Sequence, residues 1–230
     1  MIDILNAILK ALELIFSGNP RVYEITLRSL YISGAAALIA ILWGLPIALL
    51  LGIKNFPGKF LIKGVLSTLI GIPTVGLGLI LYLILSKGGP LGFLSLVYTP
   101  TAIIIGEAIL VTPIVVSFTT TAIEAVDREI TNLAKTLGAS ESQASIAVLK
   151  EALNGVFLAG IASFNRAIAE LGVAVLVGGG IVGFTDVLTT EIARETSRAN
   201  LEIAIALGII LLALVFGINL AINFLQRRRK

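Results

Sequence analysis

Three segments run without a charged residue for longer than a lipid bilayer is thick: Ser29–Ile53, Gly64–Ser86 and Ile203–Gln226. A helix rises ~1.5 Å per residue, so about 20 apolar residues cross ~30 Å of hydrocarbon. Each segment meets that length. Lipid is therefore the solvent against which the rest of the chain is read. Charged residues make up only 13% of the chain, and its mean hydropathy is +1.03. Soluble domains carry about 25% charged residues. One domain over 1–230 is expected, because the spans follow each other too closely for a second core.

Two further spans are expected. One covers about Pro100–Thr120, with Glu107 in its middle and Pro113 inside its apolar run. The other covers about Gly155–Val177, holds Arg166 and Glu170, and stops at Gly178-Gly179-Gly180. The span at Gly64–Ser86 is interrupted by Gly71-Ile72-Pro73, where proline removes a helical hydrogen bond. Ahead of the first span, residues 2–16 form an amphipathic helix with Ile2, Leu5, Leu9, Leu12 and Phe16 on one face. Its length suits a helix lying in the interface over 1–18, with a short extra span as the alternative. Met1–Gly18 lacks a basic leading region and carries Asp3, Lys10 and Glu13, so it does not read as a signal peptide.

Basic residues set the orientation. With five alternating spans, the loops at 54–63 and 121–154 and the chain end hold ten Lys and Arg, and the opposite side holds five. The positive-inside bias puts the C-terminus in the cytoplasm and the N-terminus outside.

Composition also excludes chemistry. Cysteine and histidine are both absent. Without them there are no disulfides, no thiolate or imidazole metal sites and no Ser–His or Cys–His nucleophile. No metal site or cofactor is expected in this chain. No basic stripe with interleaved aromatics suggests nucleic acid. No phosphate-binding Gly-x-x-x-x-Gly-Lys-Ser/Thr occurs, so nucleotide hydrolysis would belong to another chain.

The long polar stretch 121–154 carries the most information. Asn132-Leu133-Ala134-Lys135-Thr136-Leu137-Gly138-Ala139-Ser140 reads as a helix, a glycine break and a new helix start. Gly138 suits the left-handed residue that ends a helix, and Ser140 suits the cap of the next. The result is a two-helix knob whose small tip residues would let another backbone approach closely, or else a solvated surface hairpin.

These residues resemble the docking loop of ABC importer permeases, whose pattern is Glu-Ala-Ala, three residues, then Gly. Asn132 stands where the family has glutamate and Leu133 where it has alanine, and the Leu-Pro ending is missing at Val148–Glu151. Phe164–Gly172 is similar to the Arg-Ala-x-x-Glu-x-Gly segment of molybdate, tungstate and sulfate permeases. Val173–Ile181, Thr189–Ser197 and Ile72–Gly78 with Ser86–Gly92 are similar to the tungstate branch. The resemblance implies an all-α polytopic membrane bundle of the type I ABC importer permease kind, with five transmembrane helices. It implies the membrane subunit of an ATP-driven importer of an oxyanion, tungstate first and molybdate or sulfate next, in a prokaryotic plasma membrane. It implies a homodimer, two cytoplasmic ATPase subunits that bind ATP and Mg, and an extracytoplasmic substrate-binding protein. Asn132, Leu133, Ala134, Leu137, Gly138, Ala139 and Ser140 would dock the ATPase. Glu107, Arg166, Glu170 and Gly172 would line or gate the route.

Arg166 and Glu170 also stand on physics alone. Four residues apart, they share a helix face and can pair. A bare charge at mid-membrane costs ~2.5–3.5 kcal/mol on insertion scales, so both must avoid lipid. They either pin neighbouring helices or line a wet path. Glu107 either pairs with Arg166 or hydrogen-bonds across the subunit. An ATP-independent transporter or channel would show inverted repeats or more intramembrane charge. An intramembrane enzyme would need a nucleophile or a paired-acid centre. The chain presents neither set of features.

Overall fold

The computed structural model describes residues 4–227. Residues 1–3 and the basic end at 228–230, which the sequence uses for an apolar face and for orientation, lie outside the described residues. Among the described residues every regular element is helical. The helices are α1 (Ile4–Phe16), α2 (Pro20–Ile53), α3 (Lys59–Leu69), α4 (Thr74–Leu85), α5 (Pro100–Glu124), α6 (Arg128–Thr136), α7 (Glu141–Glu151), α8 (Leu153–Ile168), α9 (Gly172–Gly178), α10 (Leu188–Ser197) and α11 (Leu201–Arg227).

Three helices are long and apolar enough to cross a bilayer on their own: α2, α5 and the Leu201–Ala221 part of α11. Two bent pairs raise the number to five. The pair α3 and α4 is bent at residues 70–73, and the pair α7 and α8 bends by 66°. The first bend falls at the expected Gly71-Ile72-Pro73 interruption. The span expected over Gly155–Val177 is not one helix: α8 ends at Ile168 and α9 begins at Gly172. Its break has a local cause, because the Glu170 carboxylate accepts the Val173 N–H at 3.1 Å and so caps α9. Prolines 46 and 113 sit inside α2 and α5 without ending them.

By internal contacts the chain divides into two compact units. The first comprises residues 1–35, 73–107 and 165–230. In it α4 packs on α9, and α11 packs on α1 and α10. The α4–α9 contact is glycine-tight. A Cβ on Gly78 would lie 3.1 Å from the Gly172 carbonyl, and a Cβ on Gly172 would lie 2.7 Å from Thr74 Oγ1. The expected amphipathic helix is present as α1, but its buried residues are Ala7 and Ala11. Leu5, Leu9 and Phe16 face outward. The small side of α1 is what fits against α11, and the large apolar side faces outward.

The second unit comprises residues 36–72 and 108–164. Its core joins Ala48, Leu51 and Val116 with Phe56 and Leu66, and joins Ile123, Val148 and Ala152 with Leu49 and Ile53. Lys59 and Lys63 clasp the two oxygens of Glu124 at 3.0 and 2.7 Å. That places positive charge where α5 ends, against the negative end of its dipole.

Candidate functional site: a capped hairpin and an intramembrane ion pair

The stretch 121–154 builds the expected hairpin. Asp127 Oδ1 accepts the Glu129 N–H at 2.9 Å and starts α6. Gly138 has φ +86°. The Ala139 N–H reaches back to the Ala134 carbonyl at 3.0 Å and closes the turn that ends α6. Ser140 then caps α7 reciprocally: its Oγ accepts from Gln143 N at 3.3 Å, and its N–H donates to Gln143 Oε1 at 2.8 Å. Both local expectations hold. Leu133 and Leu137 are exposed, and a Cβ on Gly138 would meet nothing within 4 Å. A shallow depression of about 550 Å³ runs beside the tip, bordered by Leu137, Gly138, Ala139, Gln143 and Ile146. Asn132 instead borders a polar cavity of about 460 Å³ with Asn55, Lys59 and Glu124. The hairpin thus separates Asn132 from the residues that surround the tip.

The intramembrane charges separate into two groups. Arg166 Nη1 donates to Glu170 Oε2 at 2.6 Å. Glu170 is 2% exposed and Arg166 33%. Both oxygens of Glu170 are in use, one on Arg166 and one on the α9 N-terminus, and its backbone carbonyl accepts from Thr189 Oγ1 at 2.6 Å. Glu107 is buried on α5 near Ser33, with Oε2 without a partner. The bond from Arg166 goes to Glu170 and not to Glu107. Gly172 is a packing point beneath Thr74 and Val75. No group of three or more acidic residues is placed to hold a metal ion among the described residues.

Comparison with known proteins decides the family. The model of binding-protein-dependent transport system inner membrane components matches residues 44–230. The chain belongs to that family. The permease is 41% identical, over 94% of its length and 95% of the other's, to the tungstate uptake system permease protein TupB of Peptoclostridium acidaminophilum. It is 42% identical to a probable anion ABC transporter permease protein of Haloferax volcanii, over 85% of this chain and 87% of that one. Its fold matches a chain of the MetNI methionine ABC transporter in an inward-facing conformation. The TM-score is 0.70 at 16% identity, covering 95% of this chain and 98% of that one. The all-α ABC permease architecture and the multi-pass membrane location inferred from the sequence are thereby borne out.

One constellation in the permease escaped sequence reading. Glu191 and Glu195 on α10 and Asp186 before it are buried among arginines. Arg21 Nη2 reaches Glu191 Oε2 at 3.0 Å and Glu195 Oε1 at 2.6 Å. Arg28 pairs with Asp186, and Arg194 pairs with Glu191. Asn200 Nδ2 donates to Glu195 Oε2 at 2.7 Å. Burial alone would raise the Glu195 carboxyl; hydrogen bonds from Asn200 and Arg21, with the charges of Arg21 and Arg194, hold it below the ordinary carboxylate range. Burial lowers the Arg194 guanidinium from its usual value. Arg194 Nη1 also donates to the Gly180 carbonyl at 2.9 Å, beside the left-handed Gly179 that ends α9. Arg21 and Arg28 lie more than 150 residues from their acidic partners in sequence, which is why no local pattern reveals those pairs.

Proposed function

We propose that this chain is the membrane subunit of an ATP-driven importer whose cargo is tungstate. The observation that carries the reading is the 41% identity, across nearly the full length, to a protein named as a tungstate uptake permease. The hairpin supports it mechanically. A left-handed glycine and a reciprocal serine cap hold a small, open tip that a separate ATPase subunit grips. Leu133, Leu137, Gly138, Ala139 and Ser140 form that grip with Ala134, and Asn132 sets the cavity behind it. Two copies of the chain enclose the route about a two-fold axis. Each copy takes one ATPase, which binds the ATP and Mg, and a binding protein delivers the anion from outside. The hairpin and the C-terminus face the cytoplasm, and the N-terminus lies outside.

Arg166 lines the route of the anion while Glu170 offsets its charge, so the cargo is attracted without being trapped. Glu107 and Gly172 support that route from within the subunit. The test is uptake of labelled tungstate into proteoliposomes holding the permease, its ATPase and its binding protein. ATP-dependent tungstate uptake, competed less well by molybdate and sulfate, is expected. Uptake of tungstate without nucleotide or ATPase overturns the importer reading, and a preference for sulfate overturns the cargo.

A further inference from the structure

Asn219 is the only polar side chain between Ile203 and Ala221, and it is exposed on α11. Asn165 on α8 donates from Nδ2 to Asn219 Oδ1 at 3.2 Å. Asn219 Nδ2 turns back to the Val215 carbonyl at 2.7 Å. Asn165 Oδ1 is buried with no hydrogen-bond partner. The amide bridge is therefore incompletely satisfied, and one of its members stands on an open helix face. One residue further along α8, Arg166 commits Nη1 to Glu170 and still leaves a third of its side chain exposed.

Hydrocarbon supplies no partner for an amide, so amides facing lipid are costly. Amides that only bind two membrane helices together are enclosed between them. Asn219 is not enclosed. Its neighbours Leu212 and Phe216 on the same face are exposed as well, so this face of α11 stands open in the single chain, with the amide as its polar group. We infer that Asn165 and Asn219 line the wet route beside Arg166, and that their amide N–H groups replace water on a partly dehydrated tetrahedral oxyanion. Each Nδ2 carries two N–H bonds, and one hydrogen bond runs from each here. A neutral donor helps an anion past without holding it, and Arg166 next to it is offset by Glu170. This inference rests on the permease reading.

The chain has no cysteine, so N165C, N219C and F224C are single reporters within it, read on the permease band. Each is placed in the complete transporter with its ATPase and binding protein and treated with a small anionic, membrane-impermeant thiosulfonate. N165C and N219C should react, and tungstate should slow the reaction. F224C, about 140° round the helix from Asn219 and exposed, should react only with a lipid-soluble maleimide. N219D, which keeps the size of the side chain and adds negative charge, should cut uptake ~10-fold or more through like-charge repulsion, with unchanged yield and elution profile. Labelling of N219C by the lipid-soluble reagent alone overturns the proposal. So does N219D with normal uptake, or N219D that loses assembly as a helix-binding contact would. If sulfate slows labelling and tungstate does not, the cargo is wrong and the wet route stands.

Discussion

Two residues separate mechanical from electrostatic roles. Gly138 is held at φ +86° in open space. A β-branched side chain there costs ~1–3 kcal/mol in backbone strain without touching a neighbour. Gly138→Val should therefore leave the membrane helices folded, seen as an unchanged melting curve in detergent, and lose both uptake and binding-protein-stimulated ATP hydrolysis. Gly138→Asn should keep more of each, because asparagine tolerates the left-handed region. A Gly138→Val protein with full coupled hydrolysis would remove the docking role. Arg166 poses the opposite problem. Arg166→Ala leaves the Glu170 carboxylate buried and unpaired, a loss of ~3–5 kcal/mol at full burial and less here, since Arg166 is 33% exposed. Adding Glu170→Gln removes the stranded charge and keeps an oxygen to accept the Val173 N–H. The double variant should regain thermal stability and still fail to transport. Recovery of both would make Arg166 a packing residue only.

Short helices, and not only long spans, give this permease its joints. Sequence spacing revealed the break before α4, because Gly71-Ile72-Pro73 announces itself. It did not reveal the break before α9. There the interruption is made by the side chain of Glu170, a residue that sequence reading places inside a continuous span. The resulting pair of half-helices, α4 and α9, meets at Gly78 and Gly172. A methyl group on Gly172 would lie 2.8 Å from the Val75 nitrogen, and overpacking of this kind costs ~1–3 kcal/mol. Gly172→Ala should lower the melting temperature in detergent by at least ~2 °C, at ~2–4 °C per kcal/mol for a chain of this size. No change would mean the two helices part easily.

Helix α10 is held differently, by charge. Glu195 has its folded carboxyl below the ordinary range. Its contribution to stability is therefore present above the unfolded value of ~4.3 and lost as pH falls through the depressed one. Glu195→Gln should be less stable than the parent near pH 7, and the gap should close below about pH 4. A gap that persists in acid would assign the effect to packing instead.

At the scale of the whole molecule, uncharged length was enough to reveal α2 and α11 as membrane helices, whereas α5 was read as a span with Glu107 in its middle and the uncharged Gly64–Ser86 run folds as the bent pair α3 and α4. The tip of the 121–154 hairpin was equally legible, since Gly138 and Ser140 act on their own neighbours. The Arg21, Glu191 and Glu195 cluster and the Asn165–Asn219 bridge were not, because each joins segments that only the folded chain brings together. The proposed orientation rests on sequence alone, on ten Lys and Arg expected on one side against five on the other. Absent cysteines make it directly measurable. Ser142 on α7, Ser197 on α10 and Ile4 on α1 are all exposed. Single cysteines at these positions, treated with an impermeant maleimide in intact cells and in inverted vesicles, should label from opposite sides. S142C should react only from the cytoplasmic face and S197C only from outside. I4C should react from outside if α1 lies in the interface, and from the cytoplasm if α1 crosses. Ser197 labelling from the cytoplasm would invert the permease and place the hairpin beyond the reach of any ATPase.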